Sequence, residues 1–82
     1  MVELKERVST AVLVKARAVI GQDVTVDADP MTVGFDSIAS LQLAAALEED
    51  LGIECTSEDV FDAPSFGALA DVLVQRLEDV TG

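Results

Sequence analysis

Apolar residues in this chain recur at the spacing of helices, not of strands. Phe66, Leu69, Ala70, Leu73 and Leu77 stand at i, i+3, i+4, i+7 and i+11, a stripe that one side of an α-helix collects into a single surface. Ser65 is positioned to cap that helix, which should run from about 65 to 79. A first helix is expected over about 3–20, with Leu4, Val8, Ala11, Val12 and Val19 on one side, Leu13 nearly opposite, and Gly21 as its stop. A second helix, from Ser37 to Leu51, ends at Gly52. At 100° per residue it has two apolar sides: Leu43, Ala46, Leu47 and Leu51 on one, Ile38, Leu41 and Ala45 on the other, the latter bordered by Gln42, Glu48 and Glu49. Between the second and last helices, Ile53 and Cys55 alternate with Glu54 in an extended link. Thr56 and Ser57 can cap a short helix over 58–62 with Val60 and Phe61 inward, and Ala63-Pro64 breaks it.

The segment from Gln22 to Phe35 is a long loop for so small a chain, with Val24, Val26, Met31 and Val33 expected to anchor it. The order is long helix, long loop, helix, very short helix, helix. This predicts an all-α fold: a small antiparallel four-helix bundle, three long helices and one short, in a single domain over 1–82. Half the residues are apolar but only three are aromatic, all phenylalanine, so aliphatic side chains must fill a thin core of modest stability. No apolar stretch approaches a membrane span. The start, Met1-Val2-Glu3-Leu4-Lys5-Glu6-Arg7, is too charged for a secretory signal, and a single cysteine fits a reducing, cytoplasmic setting. Met1 and the polar end Thr81-Gly82 lean toward a free-standing chain, with a piece cut from a larger protein as the open alternative.

The formal net charge is −11. The five basic residues are Lys5, Arg7, Lys15, Arg17 and Arg76, so nothing between Ala18 and Gln75 is basic, while that stretch holds twelve of the sixteen acids. Nucleic acid requires the opposite sign and is not an expected partner. A negative surface attracts basic protein partners and speeds their encounter, or serves solubility alone. A second helix with two apolar sides reinforces the first alternative, because a bundle of this size has difficulty covering both.

The chain has no histidine, tyrosine or tryptophan. A Ser-His-Asp or Cys-His site therefore cannot be built. Cys55 has no second cysteine or histidine with which to hold zinc, and reads as a small buried apolar residue. Asp27-Ala28-Asp29-Pro30 lacks the third ligand and the central glycine of a calcium loop. No phosphate-cradling glycine motif and no metal site is expected. No catalytic constellation is built by these residues, and the chain is expected to be a non-catalyst.

Gly34-Phe35-Asp36-Ser37-Ile38 opens the second helix. Asp36 suits an N-cap, since its carboxylate can accept the unpaired amides of the first turn. Ser37 then takes the first helical position, with its hydroxyl outside and the positive end of the helix beneath it, where a phosphate ester would be stabilised. Gly34 can allow another backbone or a ligand to approach closely.

This run resembles the attachment motif of the acyl carrier protein family. Leu47-Glu48-Glu49-Asp50-Leu51-Gly52-Ile53 is similar to the end of that family's second helix. Val60-Phe61-Asp62-Ala63-Pro64-Ser65-Phe66 resembles the third-to-fourth helix junction of polyketide-synthase carriers. With matching loop lengths, the resemblance covers nearly the whole chain. It implies that Ser37 receives a covalent 4'-phosphopantetheine arm from coenzyme A through a magnesium-dependent phosphopantetheinyl transferase, and that the arm's thiol carries acyl groups as thioesters.

The resemblance further implies that Ile38, Leu41, Gln42, Ala45, Glu48 and Glu49 form a docking face. Its visitors would be basic partner enzymes: an acyltransferase, a ketosynthase or an adenylating enzyme. The chain itself is expected to be a monomer. Phe35, where peptidyl carriers usually have a second glycine, favours an acyl carrier of polyketide or related secondary metabolism, antibiotic biosynthesis included. Ile38, frequent in peptidyl carriers, points toward a peptidyl or aminoacyl carrier. An acidic helical interaction module without any arm is the alternative of another class.

Overall fold

The structure, a computed structural model, describes residues 2–81 and the side-chain surroundings of residues 4–80. Met1 and Gly82, part of the ends read as those of a free-standing chain, lie outside the described residues. Four helices make up the regular structure: α1 (Val2–Ile20), α2 (Ser37–Leu51), α3 (Ser57–Asp62) and α4 (Phe66–Thr81). No strand occurs among the described residues. Helix α1 packs against both α2 and α4, while the short α3 sits chiefly on α2 and touches α4.

The stripe on α4 makes the floor of the core. Phe66, Leu69, Ala70 and Leu73 are fully buried, and Leu77 is half-buried at its edge. From α1 the buried residues are Val8, Val12 and Ala16. Ala16 thus takes the place expected for Val19, which is half-buried. Leu13, expected nearly opposite the core, packs against its margin, because α1 lies between two helices and buries a wide arc of its surface. On α2 the buried set is Ser40, Leu43, Ala44 and Leu47, with Ala46 and Leu51 only half-buried. Ala46 instead borders a shallow hollow with Lys15, Glu49 and Asp50. Ile53 and Cys55 enter the core from the link, and Glu54 between them is exposed, as strand-like alternation requires.

Helix ends follow from local chemistry. The Gly52 amide donates to the Glu48 carbonyl at 2.8 Å and closes α2. Helix α3 starts at Ser57, one residue before the expected Glu58, because Thr56 and Asp59 form a reciprocal capping box: Asp59 N–H donates to Thr56 Oγ1 at 3.2 Å and Thr56 N–H to Asp59 Oδ2 at 2.9 Å. Within α3 only Val60 is buried; Phe61, expected inward, is half-buried. Ala63, before Pro64, is extended, and Ser65 Oγ then accepts the Ala68 amide at 3.1 Å to begin α4.

The long loop is anchored differently from expectation. Val24 is buried and Val33 half-buried, but Val26 and Met31 are exposed, Met31 at 56%. Pro30 and Phe35 are the further anchors, both buried. Backbone bonds explain why Val26 need not bury its side chain. The Phe66 amide donates to the Ala28 carbonyl at 3.0 Å and the Gly67 amide to the Val26 carbonyl at 2.8 Å, so the loop caps the first turn of α4. A Cβ at Gly67 would lie 3.2 Å from that Val26 carbonyl oxygen, which explains a glycine there.

One buried polar group among the described residues is unmatched. The Ser40 side chain is completely buried and its Oγ has no hydrogen-bond partner. An unpaired buried hydroxyl costs about 1–3 kcal/mol. Ser40→Ala should therefore be neutral or stabilising in a urea melt, whereas an ordinary core truncation destabilises. A loss above about 1 kcal/mol would mean that the hydroxyl has a partner in solution.

Candidate functional site

The Gly34–Ile38 run is held in place by a compact turn. Thr32 and Val33 amides donate to the Asp29 carbonyl at 3.0 and 3.2 Å, and the Phe35 amide to the Pro30 carbonyl at 3.0 Å. The Asp29 carboxylate accepts the Met31 amide at 2.9 Å. Gly34 closes this turn at φ +102, which an L side chain rarely adopts. Its nearest non-neighbouring atom is Ile20 Cδ1 at an ordinary 3.7 Å. The glycine is thus required by its own backbone angle, and no backbone of the protein itself approaches it closely. Phe35 then drives its ring into the core against Phe66, edge to face, with centroids 5.5 Å apart at 68°.

Phe35 is pinned to the start of α4, and the next two residues are exposed. Asp36 is extended (φ −87, ψ −172) and its Oδ1 accepts the Ala39 amide at 2.8 Å. Its carbonyl accepts the Ser40 amide at 2.9 Å. Ser37 is the first residue of α2 and is exposed. Among the described residues, the Ser37 and Ile38 amides have no hydrogen-bond partner, so two donors remain at the positive end of the helix. An exposed hydroxyl beside free amides suits a phosphodiester attached to that oxygen.

Down the outer side of α2 lies an uncovered surface. Ile38 is 68% and Leu41 60% exposed, and Ala45, Gln42, Glu48 and Glu49 are exposed with them. No other helix of the bundle covers this side. These large apolar residues, bordered by acids, form an exposed apolar patch on the described surface. Sequence pattern had already separated these residues from the core.

The other edge of α2 meets α3, whose position depends on one cation that sequence reading left unused. Arg76 of α4 donates to both oxygens of Asp59, at 2.5 and 2.9 Å, and to the Glu54 carbonyl at 3.0 Å. Asp59 therefore closes the capping box and receives a two-pronged guanidinium at once. Its carboxyl is held below the ordinary carboxylate range, first by the Arg76 hydrogen bonds and then, against the opposing effect of burial, by those from Thr56. Cys55, beside this pair, is buried and its thiol is pushed up to about 11, mainly by burial and then by the Asp59 charge. It stays protonated at neutral pH and is a poor nucleophile.

The sign of the resulting pH dependence is fixed. A carboxyl lowered on folding stabilises the native state above its unfolded pKa, and that contribution disappears as the pH falls through the lowered folded value. Acidification also relieves the self-repulsion of a chain at −11, so the comparison must be differential. The stability gap between wild type and Arg76→Gln should be constant near neutrality and shrink below about pH 4. Urea melts showing a gap independent of pH would exclude the clamp as an ionic one.

Residues 10–73 match the family described as "Phosphopantetheine attachment site". Two curated proteins are similar to this chain, the Bassianolide nonribosomal cyclodepsipeptide synthetases of Beauveria bassiana and of its strain ARSEF 2860. Each is 38% identical over 55 residues, which is 67% of this chain and 2% of the synthetase. The chain thus spans a small fraction of the length of these relatives. No solved structure matches it significantly.

Proposed function

This chain belongs to the phosphopantetheine attachment family, whose members carry 4'-phosphopantetheine covalently, and from that premise we propose that it is a non-catalytic carrier with Ser37 as the attachment point. The observation that carries the reading is the exposed Ser37 hydroxyl on an N-capped helix with two free amides. The arm supplies a thiol on which intermediates are held as thioesters. The chain's own residues orient the arm: Phe35 fixes the turn, Asp36 caps the helix, and Ile38 and Leu41 provide apolar surface next to the serine. Partner enzymes must include a phosphopantetheinyl transferase and the enzymes that load and unload the thiol. A cell interior that keeps thiols reduced suits both that thiol and Cys55.

Two cargo classes are supported by different observations. Phe35 in the attachment motif favours an acyl carrier of polyketide or related secondary metabolism. The similarity to nonribosomal cyclodepsipeptide synthetases favours a peptidyl or aminoacyl carrier. Incubation of the modified chain with a malonyl-type acyltransferase or with an adenylating enzyme and amino or hydroxy acids, followed by intact-mass measurement, distinguishes them. Failure of every loading enzyme on protein that bears the arm would overturn the carrier reading.

We assign partner docking to the outer side of α2. Ile38 and Leu41 provide the apolar centre, since desolvated apolar anchors dominate interface energy. Glu48 and Glu49, at the rim, act on encounter rate. Glu48→Lys with Glu49→Lys should slow association with a basic loading enzyme about tenfold at low salt. The difference should fade near physiological salt, where the screening length is about 8 Å. Surface plasmon resonance that finds unchanged association at low salt would leave the acidity to solubility alone.

A further inference from the structure

Three of the chain's five basic side chains are in ion pairs: Lys5 with Asp71, Arg17 with Asp23 and Arg76 with Asp59. The other two, Arg7 and Lys15, have no carboxylate within 4.0 Å among the described residues, although the chain carries sixteen acids. Both line the same groove, of about 580 Å³, between α1 and the C-terminal turn of α2. Ala11 and Leu51, half-buried, and Val14, 49% exposed, give it an apolar lining. Glu6 and Asp50 contribute negative charge, and Lys15 also borders an adjoining hollow with Ala46 and Glu49. Ala46 lies about 100° around α2 from Ala45, so the groove is on a different flank from Ile38 and Leu41, and the two surfaces meet only at Glu49.

We infer that this groove is a second docking surface, for an amphipathic helix of a partner protein that brings apolar anchors and two separated carboxylates. Arg7 and Lys15 are eight residues apart on α1, about 12 Å along its axis. A helix laid along the groove matches both with carboxylates at i and i+8, and fills the apolar lining from i+4 and i+7 between them. A uniformly acidic segment is rejected by Glu6 and Asp50, and a basic one by Arg7 and Lys15, so the charge order fixes the register. A carrier held here by one protein keeps Ser37 and the outer side of α2 free for another. The inference does not require the phosphopantetheine arm.

The test is an NMR titration of the unmodified full chain. Its probe is an N-acetylated, C-amidated helical peptide with Glu at i and i+8, Leu at i+4 and i+7, and Ala and Gln elsewhere. Saturable amide shifts are expected at Arg7, Ala11, Val14, Lys15 and Leu51, with Ile38, Leu41 and Ala45 unmoved. The same peptide with Lys for both Glu residues should bind at least about tenfold more weakly. Arg7→Gln with Lys15→Gln should weaken the acidic peptide by a similar factor. Equal affinity for the two peptides, shifts centred on the outer side of α2, or no saturable shift overturns the inference. If the double substitution disturbs folding by circular dichroism, the peptide pair still decides, because it leaves the protein unchanged.

Discussion

Ser37→Ala should abolish modification completely. Wild-type protein incubated with coenzyme A, magnesium and a broad-specificity phosphopantetheinyl transferase should gain the mass of one phosphopantetheine, and the variant none. The size of the effect follows from chemistry, since alanine has no oxygen on which to form the phosphodiester. Folding should be preserved, because Ser37 is exposed and the cap of α2 is made by Asp36, not by the serine. Circular dichroism and thermal melts of the variant should match wild type within about 0.5 kcal/mol, the usual range for a surface substitution. Arm attachment persisting in Ser37→Ala would move the site to another hydroxyl, and Ser40 is not a candidate while it remains fully buried.

Leu73→Ala should be the most damaging of the aliphatic truncations considered, at about 2–4 kcal/mol. Leu73 is completely buried at the centre of the α4 stripe, and a Leu→Ala change there loses the transfer energy of the removed atoms and leaves a cavity. For a domain of this length, such a loss lowers the melting temperature by about 10 °C or more. Leu41→Ala removes the same atoms from a side chain that is 60% exposed and should cost well under about 1 kcal/mol. It should instead raise the dissociation rate of a partner enzyme, if Leu41 is an interface anchor. Denaturant melts that rank Leu41 above Leu73 would require α2 to be rotated from the orientation described.

The α4 helix and the two-sided character of α2 were legible in sequence because helical periodicity is a local property. So was the start of α2: a capping aspartate acts within one turn, and its signature is a dipeptide. The loop was misread where no such period exists. Val26 and Met31 are apolar in sequence yet exposed, while Pro30 and Phe35 do the anchoring. Nothing in a one-dimensional pattern says which of several apolar loop residues finds a cavity. That choice is made by the shape left between α1 and α4. Gly34 was singled out correctly, but the reason, a backbone angle of +102, appears only once the turn is closed.

The sequence alone determined the helical class, the order of elements, the acidity and the serine at a capped helix start, because each depends on residues within a few positions of one another. The tertiary structure decided the rest. It selected which side of α2 is covered, paired Arg76 with Asp59 across 17 positions, and left Arg7 and Lys15 together in one groove. Such pairings join residues distant in sequence, and a chain of 82 residues offers many more possible partners than the few its packing allows. Close packing of interdigitating side chains is the physical step that chooses among them.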